Sequence, residues 1–89
     1  MNEVRAEVGI VNASGLHARP CHALVRLAME YQADLRVGCG GLSANGKSIL
    51  ELMTLAAARG DQLDLVAAGP DAEELVSALR LLIAAGFEE

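Results

Sequence analysis

The sequence predicts a two-layer α+β sandwich, with two long helices covering one face of a four-stranded sheet. Two observations predict it. Four short segments alternate apolar with polar residues, as half-buried strands do, and two longer segments repeat apolar residues at helical spacing. In chain order the elements are strand, helix, strand, strand, short helix, strand and helix. We expect one domain over residues 1–89, without an internal repeat or a linker.

The first strand is predicted from Val4 to Ile10, where every second residue is apolar. A polar and glycine-containing turn at 12–15 ends this strand. From Ala18 to Tyr31 the apolar residues follow helical spacing, and Pro20 fits the first helical turn because its missing N–H has no role there. The sequence therefore predicts a strand, a turn and a helix.

The middle of the chain predicts a hairpin and a short helix. Leu35 and Val37 are apolar alternating positions, and a Gly-Gly turn at 40–41 separates them from a second strand at 42–44. Asn45-Gly46 forms another turn. Ser48 and Glu51 have the spacing of a capping box, which predicts that a short helix begins at Ser48.

The last strand and the last helix come after Gly60. Alternation from Leu63 to Ala67 predicts the strand, which Gly69-Pro70 ends. Asp71 is predicted to cap the final helix. The buried stripe of that helix is expected to contain Leu75, Val76, Leu79, Leu82 and Ile83.

Composition excludes several classes of function. Seven Lys and Arg against twelve Asp and Glu give a net charge of −5 with no cationic cluster, which argues against nucleic acid and anionic membranes as partners. No leader is recognised, and no apolar run approaches the ~18 residues of a membrane span, so we expect a cytoplasmic protein. Cys21 and Cys39 match no metal-binding spacing, and we expect reduced thiols. No cofactor and no metal are expected.

The segment from Ser14 to Pro20 places His17 where a loop meets a helix. The first helical turn offers unpaired N–H groups and a partial positive charge, so a phosphoryl group there would find the amides of Ala18 and Arg19. The same field favours the neutral imidazole, whose ring nitrogen is a nucleophile. Arg19 adds a permanent positive charge close to the phosphoryl oxygens.

A lone histidine near a helix start is more often a cap or a surface residue than a nucleophile. The combination is more specific: Gly15 permits a sharp turn before His17, Arg19 follows two residues later, and Pro20 lies in the first turn. Together they indicate an anion site that contains a nucleophile. The spacing alone does not name the phosphoryl donor or acceptor.

These residues resemble a known family. Gly15-Leu-His17-Ala-Arg-Pro20 is similar to the active-site motif of HPr, the histidine-containing phosphocarrier of the bacterial phosphoenolpyruvate-dependent phosphotransferase system. Asn45-Gly-Lys-Ser48-Ile-Leu-Glu-Leu-Met53 is similar to the motif around the family's regulatory serine. The resemblance covers nearly the whole chain.

The resemblance implies an open-faced sandwich of four antiparallel strands with three helices on one face. It implies that His17 accepts phosphate on Nδ1 from enzyme I, with Arg19 assisting, and passes it to IIA components for sugar uptake or regulation. The alternative is a regulatory protein-binding module of a nitrogen-type branch with little role in transport. We expect a monomer. A self-contained enzyme is disfavoured, because the sequence offers no second acid or base and no nucleotide loop.

Ser48 has two compatible interpretations: a helix N-cap worth about 1 kcal/mol, and, by resemblance, a serine modified by an HPr kinase/phosphorylase. Ile49, Leu50 and Met53 cannot all face inward from one short helix, and the resemblance implies that they dock partners. His22 is expected on the exposed face near His17. It is either a tolerated surface residue or one that docks partners and tunes His17.

Overall fold

The computed structural model describes residues 3–88 and confirms the predicted α+β sandwich. Its elements, in chain order, are β1 (Glu3–Gly9), α1 (Ala18–Ala28), β2 (Asp34–Cys39), β3 (Leu42–Asn45), α2 (Ile49–Met53), β4 (Gln62–Ala68) and α3 (Ala72–Ala84). A short 3₁₀ turn, Gly86–Glu88, follows α3. The observed order is the one that the alternation and the helical spacing predict.

The four strands form one antiparallel sheet in the order β1-β4-β2-β3. Val4 lies opposite Ala67 in the outer pair, and Val37 lies between Leu65 on one side and Ala44 on the other. Since paired residues share a face, the alternating apolar positions of all four strands point to the same side. The last strand in the sequence therefore occupies a central place in the sheet.

The hydrophobic core fills the space between the sheet and the helices. Leu63 and Leu65 from β4, Leu24 from α1 and Leu79 from α3 have no exposed surface. The opposite face of the sheet carries polar and charged residues that remain exposed, among them Arg5, Glu7, Arg36 and Asp64. The sheet is open to solvent on that face, as the resemblance implies.

Asp71 does not cap its own helix through its side chain, contrary to the sequence prediction. It stands at the N-cap position of α3, but its carboxylate accepts hydrogen bonds from the backbone amides of Gln32 at 2.9 Å and Ala33 at 2.8 Å. These bonds hold the pKa of Asp71 below its usual value, the amide of Gln32 contributing most. Asp71 thus ties the start of α3 to the segment between α1 and β2.

The capping box predicted at Ser48 forms only in part. Ser48 is the N-cap of α2, and its Oγ accepts a hydrogen bond from the backbone amide of Glu51 at 3.2 Å. The carboxylate of Glu51, however, accepts from the amide of Asn45 at 2.9 Å and not from Ser48, whose amide donates to the carbonyl of Asn45. Glu51 therefore joins α2 to the end of β3.

Candidate functional site

His17 is the N-cap residue of α1 and is exposed to solvent. Its backbone is extended, with φ −90° and ψ −167°, and its side chain makes no capping hydrogen bond to α1. This placement is the one expected from the sequence. The imidazole stands at the electropositive end of a helix of 11 residues and can be reached from outside.

Two backbone amides at the start of α1 are available to bind an anion beside His17. Ala18 and Arg19 occupy the first two helical positions, so their N–H groups have no acceptor within the helix. Pro20, the third, has no N–H, and the amide of Cys21 donates to the carbonyl of His17 at 3.0 Å. The sequence of the first turn thus restricts the available donors to Ala18 and Arg19, both exposed.

The loop that leads to His17 is fixed by hydrogen bonds on both sides. Asn12 accepts through its carbonyl from the amide of Gly15 at 3.1 Å, and its side-chain Nδ2 donates to the carbonyl of Gly15 at 2.8 Å. The amide of Leu16 donates to the carbonyl of Ala57 at 2.9 Å. From the sequence, Asn12 is predicted only as part of the turn at 12–15 that ends the first strand. An asparagine three residues before a glycine could have indicated this hydrogen bond, because its side chain can reach the backbone across the turn.

Gly15 is required by both its conformation and its surroundings. Its φ is +68°, and a Cβ at this position would lie 2.5 Å from the carbonyl oxygen of Ala57 and 2.9 Å from Cα of Ala58. A real Cβ cannot occupy that space without moving the backbone. The loop before β4 therefore acts as a platform against which the loop that carries His17 packs.

The predicted docking residues differ in exposure. Leu50 is 80% exposed and Met53 is 43% exposed, whereas Ile49 is half-buried and packs against the core. The expectation that these three residues cannot all face inward is confirmed. Ser48 is half-buried, and His22 is exposed on α1.

The two cysteines are free thiols, in agreement with the sequence prediction. Cys21 has no exposed surface, and its Sγ donates to the carbonyl of Leu16 at 3.6 Å. Burial raises the pKa of the Cys21 thiol to about 11. For Cys39 burial again raises the pKa, with Asp61 and Asp64 adding to the effect. Cys21 is therefore a packing residue beneath the site.

Residues 3–88 contain no group of three His, Cys, Asp or Glu side chains that could hold a metal ion. Over the same residues, each helix is too short or too polar to pass through a bilayer.

Comparison with known proteins agrees with this geometry. The sequence model of a family described as "PTS HPr component phosphorylation site" matches residues 4–85. The chain belongs to the HPr family. It is 35% identical to the phosphocarrier protein HPr of Treponema pallidum, covering 92% of this chain and 93% of that protein. It is 34% identical to the phosphocarrier protein NPr of Escherichia coli strain K12, covering 97% of each.

A solved structure supports the same assignment. The crystal structure of an HPr from Thermoanaerobacter tengcongensis superposes with a TM-score of 0.90 at 37% identity, covering 100% of this chain and 98% of that one. This member of the HPr family is thus a phosphocarrier of the phosphotransferase system, and it has the fold of its relatives.

Proposed function

We propose that the chain carries a phosphoryl group on His17, taking it from phospho-enzyme I and giving it to IIA components. The observation that carries this proposal is the position of His17, exposed at the N-cap of α1 beside the first-turn amides of Ala18 and Arg19. That end of a helix stabilises an anion through its N–H groups and its partial positive charge.

In the proposed transfer, Nδ1 of His17 attacks the phosphorus atom of phospho-enzyme I. The Nδ1–P bond forms while the bond between phosphorus and the donor breaks, and the donor keeps that electron pair. The amides of Ala18 and Arg19 and the guanidinium of Arg19 hold the phosphoryl oxygens, whose charge is already present in the ground state and shifts during transfer. Transfer to a IIA component reverses these bond changes with a new acceptor.

The test is incubation of the purified chain with phosphoenolpyruvate and enzyme I. We expect one phosphoryl group per chain, labile in acid and stable in base, and none on His17→Ala. Arg19→Lys keeps the charge but lacks the planar fork, and we expect it to accept phosphate more slowly. Arg26→Ala is the matched control, since it also removes an exposed α1 side chain but lies in the last turn of the helix, away from His17. Phosphate on the His17→Ala variant would overturn the proposal.

Ser48 is proposed as a regulatory phosphorylation site for an HPr kinase/phosphorylase. Ser48 is half-buried at the N-cap of α2, adjacent in sequence to Ile49 and Leu50, which we propose dock partners. A dianion there would repel an acidic surface of enzyme I and slow phosphorylation of His17. Ser48→Glu should slow transfer at low salt and less at high salt, whereas Ser48→Ala should not. Equal transfer rates for both variants would contradict this role.

The second candidate function is a regulatory module of a nitrogen-type branch with little role in transport. Relatives named HPr and NPr match at 35% and 34% identity, which gives this candidate its support. A panel of purified IIA proteins of the sugar and nitrogen types separates the two functions by the rate at which each accepts phosphate. We propose a cytoplasmic monomer in either case, and sedimentation at micromolar concentration tests the oligomeric state.

A further inference from the structure

Asn12 has a buried side chain at the entrance to the loop that carries His17. The residue is 8% exposed, and its Nδ2 donates to the carbonyl of Gly15 at 2.8 Å. The backbone of Gly86 packs against it, since a Cβ at Gly86 would lie 3.6 Å from Cβ of Asn12. A buried side chain confined in this way can hold a neighbouring carbonyl in one direction.

The bond from Asn12 fixes one particular peptide unit. The carbonyl of Gly15 and the amide of Leu16 belong to the same planar group. Its oxygen accepts from Asn12, and its N–H donates to Ala57 at 2.9 Å. Rotation of this peptide plane would break both hydrogen bonds. The two bonds therefore fix the orientation of the backbone at Leu16, the residue before His17.

The opposite side of His17 is fixed as well. Its own carbonyl accepts from the amide of Cys21 at 3.0 Å, the first hydrogen bond of α1. Two peptide units held by hydrogen bonds, Gly15–Leu16 and His17–Ala18, therefore lie on either side of the one peptide unit that joins Leu16 to His17. Small changes in the angle at which a reacting group is presented lower the rate of transfer, because the in-line arrangement is lost.

We propose that Asn12 is a positioning residue for phosphoryl transfer, which sets the orientation of His17 through the peptide unit of Gly15 and Leu16. This inference rests on the proposed role of His17 as the phosphoryl acceptor. In this role Asn12 acts through the backbone that leads to His17.

The experiment compares three variants. Asn12→Ala removes the donor. Asn12→Asp keeps the shape but offers a donor only when the carboxyl is protonated, and burial against a carbonyl raises the pKa of such a group. Asp71→Asn is the matched control. It also disrupts hydrogen bonds between a side chain and the backbone, here the amides of Gln32 and Ala33, but these lie beyond the C-terminal end of α1, far from His17. Transfer from phospho-enzyme I is measured from pH 5.5 to 8.5, with melting temperature recorded for each variant.

We expect Asn12→Ala to transfer about tenfold more slowly or worse, and Asp71→Asn to stay within about twofold of the wild type at a similar loss of melting temperature. The rate of Asn12→Asp relative to wild type should rise as the pH falls, because the protonated carboxyl restores the hydrogen bond to Gly15. This ratio stays informative even where Asn12→Ala does not fold.

The inference is overturned if the Asn12 variants lose stability but transfer phosphate at the wild-type rate, and if the rate of Asn12→Asp relative to wild type does not change with pH. That result would leave His17 as the acceptor. A wild-type chain that takes no phosphate on His17 would overturn both proposals.

Discussion

Alanine at position 15 would meet two separate obstacles that the structure allows us to weigh. A non-glycine residue at φ +68° costs about 1–2 kcal/mol. The Cβ would also lie 2.5 Å from the carbonyl oxygen of Ala57, which accepts from the amide of Leu16. If the two loops move apart to make room for the Cβ, that hydrogen bond breaks and the buried amide of Leu16 is left unpaired, which costs about 1–3 kcal/mol. The expected total is about 2–5 kcal/mol, or a fall of about 10 °C or more in melting temperature for a domain of this size.

Thermal unfolding followed by circular dichroism measures this loss, and two other glycines serve as controls. A Cβ at Gly9 would meet no atom within 4 Å, and this glycine has no positive φ, so Gly9→Ala should be nearly neutral. Gly40 has φ +57° and also meets nothing within 4 Å, so Gly40→Ala isolates the conformational cost. The reasoning is refuted if Gly15→Ala melts within about 3 °C of Gly40→Ala, since the contact with Ala57 would then contribute nothing.

Three further outcomes are expected. Leu50 is 80% exposed, so Leu50→Ser should leave the melting temperature almost unchanged but weaken binding to enzyme I in calorimetry. Leu52 is fully buried, so Leu52→Ala should lower the free energy of unfolding by about 2–5 kcal/mol. The stability that Asp71 contributes is present at neutral pH and is lost as the pH falls below about 4, because its folded-state pKa is lowered; wild type and Asp71→Asn should therefore converge in acid unfolding curves. Cys21 has no exposed surface, and burial raises its pKa to about 11, so about one molecule in a thousand carries the thiolate at pH 8. A thiol reagent followed by mass spectrometry should therefore modify Cys21 only when the chain opens.

The order of the elements could be predicted because each strand buries one face, which imposes alternation on the sequence. The position of His17 could also be predicted, since Gly15 and Pro20 mark the ends of a turn and the start of a helix. Both signals are local. They depend only on residues a few positions apart, so the spacing of residue types in the sequence is enough to predict them.

Contacts between segments far apart in the sequence could not be predicted from this local spacing. Asp71 has the spacing of an N-cap, yet its carboxylate accepts from amides 38 and 39 residues away, because the turn after α1 presents two N–H groups close to it. Glu51 likewise bonds Asn45 in place of the nearer Ser48. The role proposed for Asn12 depends on Ala57 accepting a hydrogen bond from the other end of the same peptide unit. No pattern in the sequence indicates that Ala57 lies against this loop.

The position of β4 between β1 and β2 has a consequence for how the molecule assembles. β1 and β2 each pair with β4, so neither gains a neighbour on that side until residues 62–68 arrive. During synthesis, the residues before β4 can form α1, the β2–β3 hairpin and α2, whereas β1 has no strand to pair with. Such long-range pairing slows folding and concentrates it into one late cooperative event. The loop bearing His17 packs on Ala57 just before β4, so we expect it to become ordered only when β4 pairs with β1 and β2.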